Sequence, residues 1–258
     1  MIDGHVHLDK GPLTKEYVLE FVDEAIKNNI NEIHILNHSH RFKEFSVLYE
    51  KCKVVKEQVD WFNRDFKDSI YDYIRLIDEV KKLDLPVKIL FGLEVCYFSD
   101  REDMIKDLLK VYDWDFLIGS IHFINNIAYD CRWSVKELWE KNNVDELYRT
   151  YYESTKNLIK SNLFTQIGHI DTIKMFGYYP SYDLKDTYKE IAVLLNEHNM
   201  LAENNTKVNY EYGHHDIGLS KELLEILKEY NCKIVSSSDA HQPDNVGKLF
   251  DKIYFNIC

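Results

Sequence analysis

The sequence predicts an α/β protein whose parallel strands close into a barrel. Three observations point there. Short apolar runs of β-type residues alternate about seven times with longer segments of helical period. Imidazole and carboxylate side chains gather at the ends of those runs, where a barrel of this class carries its chemistry. The length, 258 residues, is that of a single barrel, and neither a boundary nor a fixed-period repeat divides it, so 1–258 is expected to be one domain.

Strands are expected near 2–7, 32–37, 87–94, 116–120, 166–169, 201–205 and 233–238. Helices are expected between them, over 15–28, 69–83, 100–111, 134–161, 184–198 and 220–230. In the first, Thr14 supplies an N-cap, and Tyr17, Val18, Phe21, Val22, Ala25 and Ile26 form one apolar face. Residues 41–67 are less regular and read as an insertion over one end of the barrel.

Composition narrows the partners. With 32 basic and 44 acidic residues the net charge is −12, and no Lys/Arg block exists, so a nucleic acid polymer is not an expected partner. A small anionic substrate remains compatible if metals supply local positive charge. Cys52, Cys96, Cys131, Cys232 and Cys258 are odd in number and form no CxxC, which suggests reduced thiols. No leader and no 18-residue apolar run is visible, so a cytoplasmic protein without a membrane partner is expected.

The strand ends carry the chemistry. His5-Val6-His7 closes the first strand, and alternation along a strand places both imidazoles on one face. The second strand ends in Asn37-His38-Ser39-His40, the third in Glu94, the fourth in His122, and the fifth in His169-Ile170-Asp171. The sixth carries Glu203-Asn204-Asn205-Thr206, and the seventh ends in Asp239-Ala240-His241. One such histidine is commonly a hydrogen-bonded edge residue; seven strand ends together are not a coincidence of that kind. Imidazole and carboxylate without thiolate suit zinc, manganese or iron better than calcium. There are too many ligands for one ion. Clustered divalent ions point to hydrolysis of a phosphate ester.

The ordered set resembles the polymerase and histidinol phosphatase (PHP) superfamily. The matching stretches are Asp3-Gly4-His5-Val6-His7, Asn37-His38, Gly92-Leu93-Glu94, Gly119-Ser120-Ile121-His122, Gly168-His169-Ile170-Asp171, Glu203-Asn204-Asn205-Thr206 and Ser238-Asp239-Ala240-His241. Within it, the stretches around His122-Phe123 and Ile173-Lys174-Met175-Phe176-Gly177 look most like the stand-alone histidinol-phosphate phosphatases. The resemblance implies a distorted seven-stranded (β/α)7 barrel, TIM-barrel-like, with two or three divalent ions (Zn, Mn or Fe). By position, one ion would take His5, His7, Glu94 and Asp239, and a second Glu94, His122 and His169. A third would take His38 and His241. An amidohydrolase also opens with HxH but needs a bridging lysine, and Glu94 stands where the bridge belongs.

Two departures affect the third ion and its surroundings. Leu13 occupies a position where relatives carry His or Asp; Glu16, one turn on, is the favoured substitute and Asp9 the alternative. Asn37 replaces an acid. The implied reaction is hydrolysis of L-histidinol phosphate to L-histidinol and phosphate, in histidine biosynthesis, by a hydroxide bridging two ions. Another small phosphate ester or a nucleotide is the alternative substrate. Asp239 would hold the proton of the hydroxide, and His40 is the candidate acid for the leaving alkoxide. Arg41 is the expected phosphate clamp, by the fit of a guanidinium to phosphate, with Lys10 a weaker candidate. Asp130 could meet a cationic group of the substrate.

Overall fold

The first strand, β1 (Ile2–His7), pairs with β2 (Glu32–Leu36), and the ladder continues through β3 (Lys88–Cys96) to β4 (Phe116–Ser120), all parallel. A two-residue-per-strand antiparallel hairpin follows, β5 (Phe123–Ile124) and β6 (Ile127–Ala128), turning at Asn125-Asn126, both with positive φ. Then β7 (Gln166–Ile167), β8 (Leu201–Asn205) and β9 (Ile234–Ser237) complete one seven-stranded sheet in the order β1-β2-β3-β4-β7-β8-β9. The computed structural model describes residues 1–253, so Cys258 lies outside it. The architecture is a nearly closed, distorted (β/α)7 barrel, as the sequence predicts.

Helices surround the sheet: α1 (Lys15–Lys27), α2 (Lys56–Asp65), α3 (Ile70–Val80), α4 (Glu102–Leu109), α5 (Ser134–Glu137), α6 (Val144–Lys160), α7 (Lys185–Glu197), α8 (Lys207–Tyr212), α9 (Lys221–Glu229) and α10 (Phe250–Ile253). Thr14 caps α1 by accepting from the Tyr17 amide at 3.3 Å, and Val18, Phe21, Val22 and Ala25 are its buried face. Three helices end alike. After α1, α7 and α9 an asparagine, Asn29, Asn199 or Asn231, takes positive φ. The next amide then bonds back five residues: Ile30 to Ala25, Met200 to Leu195 and Cys232 to Leu227, at 2.8–2.9 Å. Asparagine here does what glycine does in most such caps, because its short polar side chain tolerates the left-handed region.

The helix expected over 134–161 is not continuous. It breaks into α5, a 3₁₀ turn Trp139–Lys141, and α6. Asn143 starts α6 afresh: its side chain accepts from the Glu146 amide at 3.2 Å, and Asp145 and Glu146 occupy the acidic first turn. Residues 41–67 do lie over the barrel mouth, as a 3₁₀ stretch Lys43–Cys52 followed by α2. Gln58 ties this insertion to the hairpin, donating to the Asn126 carbonyl and accepting from the Ala128 amide, both at 2.8 Å. The four described cysteines, Cys52, Cys96, Cys131 and Cys232, are all free.

Helix and sheet share one large core. Tyr73 of α3 is fully buried, and its hydroxyl donates toward the carbonyls of Ile35 (3.2 Å) and Gly92 (3.1 Å). Each such aromatic contributes roughly 1.5–3 kcal/mol through burial alone.

The sheet has no ladder between β9 and β1. That seam is held instead by one bridge, the His7 amide to the Ala240 carbonyl at 2.7 Å, and by Asp3. The buried Asp3 carboxylate accepts from the amides of Ser238 and Gly247, each at 2.9 Å, and from the Ser238 hydroxyl. Burial outweighs these bonds and pushes its pKa up to about 6. Gly4 permits the approach: a Cβ there would come within 2.7 Å of Val235.

Candidate metal centre

The ligand-type residues converge on Glu94. β1 places His5 and His7 on its inner face, both fully buried. Their Nε2 atoms lie 3.5 and 3.3 Å from Glu94 Oε2, and Asp239 Oδ1 lies 3.4 Å from His7 Nε2. On the other side, Glu94 Oε1 lies 3.3 Å from His122 Nε2 and 3.1 Å from His169 Nε2, which are 3.2 Å apart. Zinc–nitrogen bonds of about 2.0–2.1 Å put tetrahedral neighbours roughly 3.3 Å apart. The two oxygens of one carboxylate thus face two separate imidazole pairs.

The surroundings prepare these rings. His5 Nδ1–H donates to Glu203 at 2.7 Å, which turns the Nε2 lone pair inward. Glu203 also accepts from the His169 amide (3.0 Å) and the Gln166 side chain (2.7 Å). Nδ1 of His122 lies 3.1 Å from Cys96 Sγ, and that of His241 lies 3.0 Å from the Asp239 carbonyl. His169 and Asp239 hold positive φ, +26° and +52°, a region that histidine and aspartate enter more readily than most residues other than glycine. Gly168 packs closely before His169: a Cβ there would meet Ser120 Oγ at 2.2 Å and would turn that hydroxyl away.

A third group sits nearer solvent. His38 bonds Asp9 through Nδ1 and lies 3.0 Å from Glu94 Oε2 through Nε2. His7 Nδ1 is 3.2 Å and His241 Nε2 4.0 Å from the same Asp9 oxygen. His7, Asp9, His38 and His241 form one set able to hold a cation; His5, His7 and Asp239 form a second, and His38, Glu94 and His122 a third.

Two observations test whether cations fit here. His5 Nε2 and His7 Nε2 face each other at 2.7 Å, and the Nε2 atoms of His5, His7 and His38 crowd the one buried oxygen Glu94 Oε2 at 3.5, 3.3 and 3.0 Å. Both are awkward for side chains alone and natural for ligands of one ion. The electrostatics agree. Burial pushes Glu94 up, but His38, His122 and His5 outweigh it and hold the carboxyl well below its usual range. Burial pushes His38 down, but Asp9 and Glu94 outweigh it and raise it to about 10. The carboxylates draw positive charge to this spot.

The PHP domain model matches residues 3–207, most of the chain. The chain belongs to the PHP family. A Deinococcus radiodurans protein named a probable histidinol-phosphatase is 28% identical over 198 residues, 74% of this chain and 73% of that protein. Two solved structures share the fold. One is a Listeria monocytogenes protein provisionally assigned as the histidinol phosphatase HisK (TM-score 0.78, 20% identity, 98% of this chain and 100% of that one). The other is the Lactococcus lactis histidinol phosphate phosphatase in complex with zinc, L-histidinol and phosphate (TM-score 0.66, 21% identity, 94% of this chain and 86% of that one).

On this PHP barrel, the strand-end residues His5, His7, His38, Glu94, His122, His169, Asp239 and His241 are brought together. Glu16 is not. Its side chain is 75% exposed in the first turn of α1, beside Lys15, and Asp9 occupies the third group instead. The Glu16 side chain is long enough to span the offset from Leu13, but the helix turns it outward.

Arg41 also departs from its expected role as a phosphate clamp. Its guanidinium donates to Asp68 (2.6 Å), the Leu8 carbonyl (2.7 Å), Asn37 Oδ1 (2.9 Å) and the Gly11 carbonyl (3.0 Å). Those donors fix the loop after β1, and Asn37, neutral where an acid was expected, is one of the acceptors.

His40 lies 3.0 Å from Asp65 and stacks on His38. Burial and then the His38 charge push its pKa down, so it is neutral at neutral pH and poorly suited to the proton-donor role expected of it.

A cavity of about 350 Å³ opens above the ligands, walled by Trp61, Asp65 and Lys67 of the insertion and by Asp130, Lys10 and Tyr212. It also contains Lys207, which sequence reasoning missed. The strand-end motif Glu203-Asn204-Asn205-Thr206 stops one residue before it.

Proposed function

We propose that this protein is a metal-dependent phosphomonoesterase that hydrolyses L-histidinol phosphate to L-histidinol and phosphate, a cytoplasmic step of histidine biosynthesis, and that 1–258 is one domain. One observation carries the reading. Two imidazole pairs share the two oxygens of Glu94 at the base of a cavity sized for a small ester. The relatives' names and the ligands of the Lactococcus lactis protein support the choice of ester.

His5, His7, Glu94 and Asp239 would hold one ion, and Glu94, His122 and His169 a second. A third would take His38 and His241 with Asp9 in place of Glu16. Bound zinc, manganese or iron would supply a water acidic enough to attack phosphorus as hydroxide near neutral pH, and charge for the phosphoryl oxygens. Asp239, held below its usual carboxyl range chiefly by Lys207 and His5 against burial, stays ionised and able to accept a proton there. Asp130 lines the cavity and offers a carboxylate to a cationic group on the alcohol side.

The test is release of free phosphate by metal-supplemented protein. Phosphate from L-histidinol phosphate, with little from a phosphodiester, a sugar phosphate or a nucleotide, is the expected result. A preference for the nucleotide or the sugar phosphate would replace the substrate while leaving the phosphatase reading in place. No release from any ester, with zinc or manganese supplied, would overturn both.

A further inference from the structure

Lys207 is the first residue of α8, directly after the β8 motif, and it points into the ligand cluster. Its Nζ lies 3.0 Å from Asp239 Oδ1 and 3.2 Å from His241 Nε2. Asn205 fixes it from behind: Asn205 Oδ1 accepts the Lys207 amide at 3.0 Å, while its side-chain amide donates to Asp239 Oδ2 at 3.2 Å. Asp239 is thereby oriented with Oδ1 toward His7 and Lys207.

A protonated amine has no lone pair and cannot be a ligand. Beside two groups that would bind divalent ions it is repelled by those ions, unless an anion lies between them. The other cations of the cavity do not fill that place. Four of the five Arg41 N–H donors are taken by Asp68, Asn37 and two carbonyls, which leaves too few for a two-pronged phosphate clamp, and Lys10 and Lys67 are exposed. Lys174 lies outside the cavity lining, buried and committed to Asp171 (2.8 Å), Asp216 (2.9 Å) and the Gly218 carbonyl (3.1 Å).

We propose that Lys207 is the phosphate-binding cation of this centre. On substrate binding its ammonium moves from Asp239 Oδ1 to a non-bridging phosphoryl oxygen, replacing the guanidinium clamp that Arg41 cannot provide. The inference rests on the phosphatase reading but not on the identity of the alcohol.

The probe is inorganic phosphate, titrated calorimetrically into metal-loaded wild type, Lys207→Met and Lys207→Arg, with metal content measured on each. Lys207→Met should keep its metal and bind phosphate at least tenfold more weakly, and Lys207→Arg should recover most of the loss. Phosphate affinity within threefold of wild type in Lys207→Met would overturn the proposal. So would loss of metal from both variants, which would make Lys207 a support for the ligands, or failure of wild type to bind phosphate. Binding of phosphate by wild type without turnover of L-histidinol phosphate would sink the substrate assignment while leaving this test intact.

Discussion

His5 and His7 lie on a strand, whereas Asp9 and His38 lie just beyond one, and those few residues separate two kinds of ligand. The imidazoles of His5 and His7 and the Glu94 carboxylate are 0% exposed, whereas Asp9 and His38 are 19% and 14% exposed. On the strands, neighbours above and below lock each ring, and Glu203 fixes the His5 tautomer. In the loops, Asp9 and His38 hold each other and reach back to His7 and Glu94, and Arg41 steadies the β1 loop through the Leu8 and Gly11 carbonyls. A preorganised set binds more tightly than one that must be ordered on binding. The two sites that share Glu94, whose ligands are 0–9% exposed, are thus the rigid pair, and the third, with Asp9, His38 and His241 at 14–19%, is the more adaptable.

Substitutions can break that contrast. The largest effect should come from Glu94→Ala. It removes the carboxylate both rigid sites share, so activity should fall on the order of 10³-fold, with most bound metal lost by elemental analysis. Retention of both rigid ions would show that Glu94 does not bridge.

Asp9→Asn should be milder. It should lose only the third ion and cost about 10–100-fold in metal affinity or activity at that site. Loss of all metal would mean that the third site supports the other two. Glu16→Ala should do least, within about 0.5 kcal/mol in stability for an exposed helical position, with metal content and turnover unchanged. A drop in metal content there would restore Glu16 as a ligand.

The rigid half was legible in the sequence because strand register dictates it. HxH at the end of β1 puts both rings on one face, and Glu94 follows from the same alternation in β3. The loop half was not. Reach favours Glu16 over Asp9, but the helical wheel opposes it: Val18, Phe21, Val22 and Ala25 face the core, and Glu16 lies away from them with Glu20. Two of the four Arg41 partners are backbone carbonyls brought near by folding, for which no sequence pattern exists. The break in 134–161 was readable in Asn143-Val144-Asp145-Glu146, a capping signal hidden within an otherwise helical period.

The seam between β9 and β1 has a further consequence. One lip carries His5 and His7, the other Asp239 and His241, and besides the Asp3 contacts and the approach of these four side chains to one another, one backbone bridge spans them. A cation shared by His5, His7 and Asp239 would act as a clasp across that opening. Closing the barrel and loading the first ion then become one coupled equilibrium. Amide protons along β1 and β9 would report it, exchanging fastest when the clasp is undone.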